Sequence, residues 1–201
     1  MESERPRAGP WHHLGTIAFA GVCAWFVFRV GQRPPGLTYL DIAVHEFGHV
    51  LFQPLGEFWM LVMGSGTQIL FPLGLAVFFL AVRRDLLTGA VLLVWTGEAV
   101  GDAAIYVADA PFGELPLLGG AVEGDWTRIL GPEHLSRMHL ADEYARTLRV
   151  LGALLMLAAV AISVSELWRL HRPEPRARPS RAAPPTEVRP ALTPEEMWRG
   201  A

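Results

Sequence analysis

His45-Glu46-Phe47-Gly48-His49 is the stretch of this chain best equipped to do chemistry. Residues four apart on a helix lie one turn above each other, so both imidazoles can reach a single cation. Glu46 projects at about 100° from His45 on a 3.6-residue turn. That direction suits a carboxylate that holds a water and takes its proton better than one that binds the ion itself. His45 and His49 are therefore candidate ligands for Zn2+, and Glu46 is the candidate catalytic base. The plainer alternative is a structural hydrogen-bond cluster between helices.

A zinc site that works on water needs at least one more protein ligand and an open position. Asp125, Asp109 and Asp102 are the candidates, with Asp125 foremost. It follows the glycine-rich stretch Gly119-Gly120-Ala121-Val122-Glu123-Gly124 and precedes Trp126, an aromatic anchor suited to the membrane interface. Its simpler role would be to cap a helix beginning at Thr127. Asp102 and Asp109 follow Glu98 by 4 and 11 residues. On one helix they fall within about 40° of each other, and that acidic face must look into a bundle or a watery cavity. Interhelical pairing with Arg128 or Arg146 would serve it equally.

The elements that position these groups follow from hydropathy. Of 201 residues 51% are hydrophobic, the mean hydropathy is +0.29, and charge gathers at the ends and in a few loops. This pattern predicts an all-α, polytopic transmembrane bundle of four to five membrane-embedded helices, multi-pass in the cell membrane and partnered by the lipid bilayer. The domain plan is a short N-terminal segment (1–12), a transmembrane helical domain (13–168) and a disordered tail rich in Pro and Arg (169–201). Apolar runs extend from Leu14 to Phe28, Phe58 to Val82, Leu86 to Ala110 and Leu148 to Ser165. The second of these holds 25 residues without a formal charge; Gly64, Gly66 and Pro72 predict that it is bent or partly unwound. A helix from Thr38, its expected N-cap, to Gln53 carries the His-Glu motif.

Glu2 and Glu4 offset Arg5 and Arg7, and no small-residue cleavage site follows, so the first run reads as a retained span. Arg83, Arg84 and the arginines from Arg169 to Arg181 place the 83–85 turn and the C-terminal end in the cytoplasm, with the 110–147 segment outside. The side of the N-terminus depends on whether the His-Glu helix spans or is re-entrant. A net charge of −3 gives no reason to expect nucleic acid. Cys23 is the only cysteine, which excludes an intrachain disulfide and a cysteine-cluster metal site.

In a membrane-embedded helix, His45-Glu46-Phe47-Gly48-His49 resembles the HExGH motif of the site-2 protease group of intramembrane zinc metalloproteases. The resemblance covers the motif helix and the multi-span arrangement. It implies that two histidines and a distant aspartate hold zinc, that Glu46 activates water, and that the substrate is a membrane-bound protein or peptide. The aspartate of that group lies in an Asn-Pro-x-x-Asp or Leu-Asp-Gly context that this chain lacks; the nearest counterparts are Asp125 and Asp109. Other functions open to these residues are a metal transporter drawing on the acidic face at 98–109, a non-catalytic metal-binding membrane scaffold, and a di-iron membrane oxidase that would recruit His134 and His139.

Overall fold

The structure, a computed structural model, describes residues 8–32, 34–116 and 123–172. Among them every regular element is a helix. Helix α1 (Pro10–Ala24) runs on through a π-helical turn, Trp25–Val30, and stops at Gly31, whose φ of 69° favours glycine. Then come α2 (Leu37–Phe52), α3 (Glu57–Val77, continued by the π turn Phe78–Val82), α4 (Leu86–Asp109), α5 (Asp125–Leu130) and α6 (Ala141–His171). Four are long and apolar enough to cross a membrane: Pro10–Val30, Glu57–Val82, Leu86–Asp109 and Met138–His171. The expected polytopic helical bundle, in a multi-pass membrane location, is what the chain forms.

Some boundaries differ from those expected. Thr38 does not cap α2; Gly36 does, and the Thr38 hydroxyl donates back to the Pro34 carbonyl at 3.0 Å. Helix α3 stays helical through Gly64, Gly66 and Pro72 instead of unwinding. Helix α6 starts seven residues before the apolar run at Leu148, because its charged first turns form a surface helix ahead of the span. Helix α6 runs on to His171, three residues into the tail expected to be disordered at 169–201; from residue 173 that tail lies outside the described residues, as does much of the glycine-rich stretch, at 117–122.

Helix α4 is the axis of the bundle. Within its most apolar window 72% is buried, against 22–28% for the other spans. Glycines let the neighbours close on it. A Cβ on Gly97 would lie 2.7 Å from the Gly152 carbonyl of α6, one on Gly152 would lie 2.7 Å from the Gly97 carbonyl, and one on Gly101 would meet Val27 of α1 at 2.3 Å. Gly97 and Gly101 form the small-xxx-small spacing that membrane helices use for close approach. Two apolar clusters stand towards opposite ends of α4. Ala90, Leu93 and Val94 join Ala20, Cys23, Ala76, Met156 and Ala159; Val107 and Ala110 join Leu61, Ile129, Leu130, Ala141 and Ala145. Between them on α4 lie the buried polar groups Thr96, Glu98 and Asp102.

The same contacts give the directions of the helices. His12, Leu87 and Val91 line one pocket, and Val27 lies against Gly101, so α1 and α4 run parallel. Leu80 faces Gly89 and Gln68 bonds Asp102, so α3 runs antiparallel to α4. Were α2 a full crossing between α1 and α3, α1 and α4 would be antiparallel. Helix α2 begins where Leu37 packs on the Ala90–Val94 cluster and ends level with the start of α3, at His49 beside Met60. Its 16 residues span ~24 Å, short of a ~30 Å hydrocarbon core. It enters the bundle from within and leaves on the face where α1 ended.

This arrangement sets a membrane topology. The start of α1 shares a face with the Arg83–Arg84 turn, and the 110–116 segment lies on the other. With Glu114→Cys or Arg83→Cys introduced, a membrane-impermeant maleimide applied to intact cells should label the first and spare the second. An N-terminal epitope should be shielded like position 83. Exposure of that epitope alongside position 114 would contradict the half-crossing of α2.

Candidate metal centre

The site is built where α2 lies almost backbone-to-backbone on α3. A Cβ on Gly48 would sit 2.1 Å from the Met63 carbonyl oxygen and 2.8 Å from Thr67 Oγ1. Any larger residue there would push the helices apart. The opposite surface shows the same economy: a Cβ on Gly64 would fall 2.6–2.7 Å from atoms of both the His45 and His49 rings. The two imidazoles fill the space above Gly64, with ring centroids 4.7 Å apart and planes at 79°.

Both rings are oriented through their Nδ1 atoms. His45 Nδ1 meets Gln68 Oε1 at 3.1 Å, and His49 Nδ1 meets the Met60 carbonyl oxygen at 2.8 Å. Both partners are acceptors, so each Nδ1 carries its proton, and a ring that is neutral turns an Nε2 lone pair inwards. The third group arrives on α5. Asp125 Oδ2 lies 2.9 Å from His45 Nε2 and 3.2 Å from His49 Nε2. Around a tetrahedral zinc with bonds of ~2.0–2.1 Å, neighbouring ligand atoms stand ~3.3 Å apart, close to these separations. Three electron-rich atoms facing one another repel unless a cation or added protons lie between them. His45, His49 and Asp125 can chelate one metal ion, and among the described residues no other such group of histidine, cysteine and carboxylate side chains occurs.

Helix α5 is only Asp125–Leu130, so tertiary contacts must hold it. The Asp125 amide donates to the Tyr106 hydroxyl at 2.8 Å, Trp126 Nε1 to Ser65 Oγ at 3.0 Å, and the Thr127 hydroxyl to the Ala110 carbonyl at 2.9 Å. Arg128 pairs with Glu57, and Ile129 and Leu130 are buried in the Val107 cluster. Asp125 is thus the first residue of α5, with Gly124 at the cap, and its carboxylate is spent on the histidines instead. Burial pushes that carboxyl up, but without a metal, when the Nε2 atoms carry protons, hydrogen bonds from His45 and His49 outweigh burial and hold it down at about 2. Side-chain exposures of 12%, 18% and 17% for His45, His49 and Asp125 leave a narrow opening to the site.

The other expected residues lie elsewhere. Glu46 is exposed on α2, adjoining the cluster. Asp102 stands behind Gln68, accepting from its amide at 2.8 Å. Asp109 accepts from the Glu114 and Leu115 amides in the turn after α4, so it closes a loop. Glu98 and Asp102 do face the bundle interior. Arg128 answers Glu57 instead of the acidic face, and Arg146 Nε donates to the Asp142 carbonyl. His134 stacks on Phe58 and His139 is exposed, so neither adds to a second metal. Gln68, Ser65 and Tyr106 were not foreseen. The one available signal was that amide and hydroxyl groups in otherwise apolar runs are costly without partners.

Two outcomes test this geometry. Gly64→Ala should cost at least about tenfold in metal affinity, the scale seen when the surroundings of ligands are disturbed, whereas Gly74→Ala, with open space at its Cβ, should cost nothing. In metal-free protein the Asp125 contacts stabilise the fold above the ordinary carboxyl value of 3.8 and are lost as pH falls towards about 2. Asp125→Asn should therefore remove part of the acid-unfolding slope in that window. No protein family, curated protein or solved structure matches this chain.

Proposed function

We propose that the chain is an intramembrane zinc peptidase, with His45, His49 and Asp125 as the zinc ligands and Glu46 as the general base. The observation that carries this is the convergence of His45 Nε2 and His49 Nε2 on one carboxylate oxygen of Asp125, at 2.9 and 3.2 Å, in a membrane protein. A structural hydrogen-bond cluster would need protons on both Nε2 atoms, yet the Nδ1 partners favour the tautomers that leave them bare.

When bound, zinc supplies a Lewis acid that lowers the pKa of water to ~7 and polarises a carbonyl. The chain's own residues supply the rest. Glu46, one position from His45 and exposed, takes the proton of the attacking water and returns it to the leaving amide nitrogen. The narrow opening keeps bulk water from the reacting centre. Exposed apolar residues around Glu46 on α2, including Phe47, Val50 and Leu51, suit an apolar substrate segment reached from the bilayer. A membrane-bound protein or peptide is therefore the substrate class. Its helix must unwind locally, because a backbone carbonyl already bonded within a helix is not free to be attacked.

Metal analysis of purified protein should give about one zinc per chain, as a three-ligand site predicts. Glu46→Gln should keep the metal and lose at least ~100-fold in cleavage of an apolar peptide panel, the usual contribution of a general base. His49→Ala should lose both. Wild-type protein that neither carries zinc nor takes it up would sink the proposal. Zinc binding with Glu46→Gln indistinguishable from wild type would reduce the protein to a metal-binding scaffold.

A further inference from the structure

Beyond the three candidate ligands a polar connection runs deeper into the bundle. His45 Nδ1 faces Gln68 Oε1 at 3.1 Å, and Gln68 Nε2 donates to Asp102 Oδ2 at 2.8 Å. Gln68 and Asp102 are each 3% exposed, so bulk water cannot replace either partner. The two ends of a carboxamide are not interchangeable, since one accepts and the other donates. A carboxylate at 102 only accepts, so it draws the amide nitrogen of Gln68 to itself. The carbonyl end then faces His45, and the proton of that ring must sit on Nδ1.

The contrast with His49 is informative. Its Nδ1 is held by the Met60 main-chain carbonyl, a partner that substitution of the Met60 side chain does not remove. His45 depends on two side chains contributed by different helices. We infer that Gln68 and Asp102 are positioning residues for the metal centre, aligned as carboxylate, carboxamide and imidazole so that His45 presents its Nε2 lone pair to the ion. The inference rests on the metal-centre proposal above. It gives a purpose to two polar groups whose burial among membrane-spanning helices would otherwise be a net cost.

The test is zinc affinity of the full-length, detergent-purified chain, measured by competition with a chelator, with thermal unfolding run in parallel. Gln68→Leu, close in size but without the amide, should weaken zinc binding about 10- to 100-fold, the range for partners that orient metal-ligating histidines. Gln68→Glu alone should also bind weakly, because it sets two carboxylates against each other. Combining it with Asp102→Asn recreates the connection in reverse: the carboxylate now at position 68 accepts from His45 Nδ1–H and from the amide now at position 102. That double variant should return to within a few-fold of wild type, which a purely space-filling role for Gln68 does not predict. A folded Gln68→Leu protein with unchanged affinity would overturn the inference. So would a double variant as weak as Gln68→Glu alone, and this comparison decides the matter if Gln68→Leu does not fold. Wild-type protein unable to bind zinc would instead bring down the metal centre itself, a separate and recognisable result.

Discussion

Two imidazole nitrogens, one 2.9 Å and the other 3.2 Å from the same carboxylate oxygen and largely enclosed by helices, form an arrangement that stays together only around positive charge. Much of the local structure follows from that constraint. The Nδ1 protons must be taken up elsewhere, which calls for a carbonyl at Met60 and a carboxamide at Gln68. The rings must stand side by side, which calls for an empty position at Gly64. The helix bearing them must press against its neighbour, which calls for Gly48. A water-filled site would forgive looser partners; an apolar one does not, because an unanswered polar group there costs more.

Helix α4 supplies the frame. Its glycines bring α1 and α6 against the backbone, and its buried side chains separate two apolar clusters with a polar layer. Helix α2 joins that layer from below as well as at the site: Trp95 Nε1 donates to Asp41 Oδ1 at 2.7 Å, one turn before His45. Asp41, His45 and His49 on α2 are therefore matched, turn by turn, by partners on α3 and α4. This lets a helix of mixed polarity sit among spans that must otherwise be apolar.

The histidine pair and its glutamate were legible because a four-residue spacing on a helix has one geometric meaning. The spans were legible because runs such as Phe58–Val82 carry no charge over a membrane-crossing length. Asp125 was legible only as the foremost of three aspartates. Choosing it depended on the return of α5 over α3, and that is fixed by Trp126, Thr127 and Arg128 meeting Ser65, Ala110 and Glu57, contacts no spacing reveals. Gln68 passed unnoticed because an uncharged amide does not interrupt a hydrophobic run. Hydropathy alone does not show how far α2 crosses, because Asp41, His45, Glu46 and His49 break its apolar run; the parallel course of α1 and α4 decides it. The start of α6 was missed because its first turns are charged, and hydropathy marks where a helix enters lipid, not where it begins.

Asp125, the third member of the cluster, lies 80 residues after His45, with two complete spans, α3 and α4, in between. As the chain emerges from synthesis, α2 and α3 can pair and bring the imidazoles together long before α5 exists. A two-histidine half-site would hold an ion only loosely. Firm capture must await the docking of a six-residue helix by contacts spread over α3 and α4. Metal retention would thus report that α2 to α5 have come together, and a chain stalled or cleaved before α5 would be left with an unfinished centre.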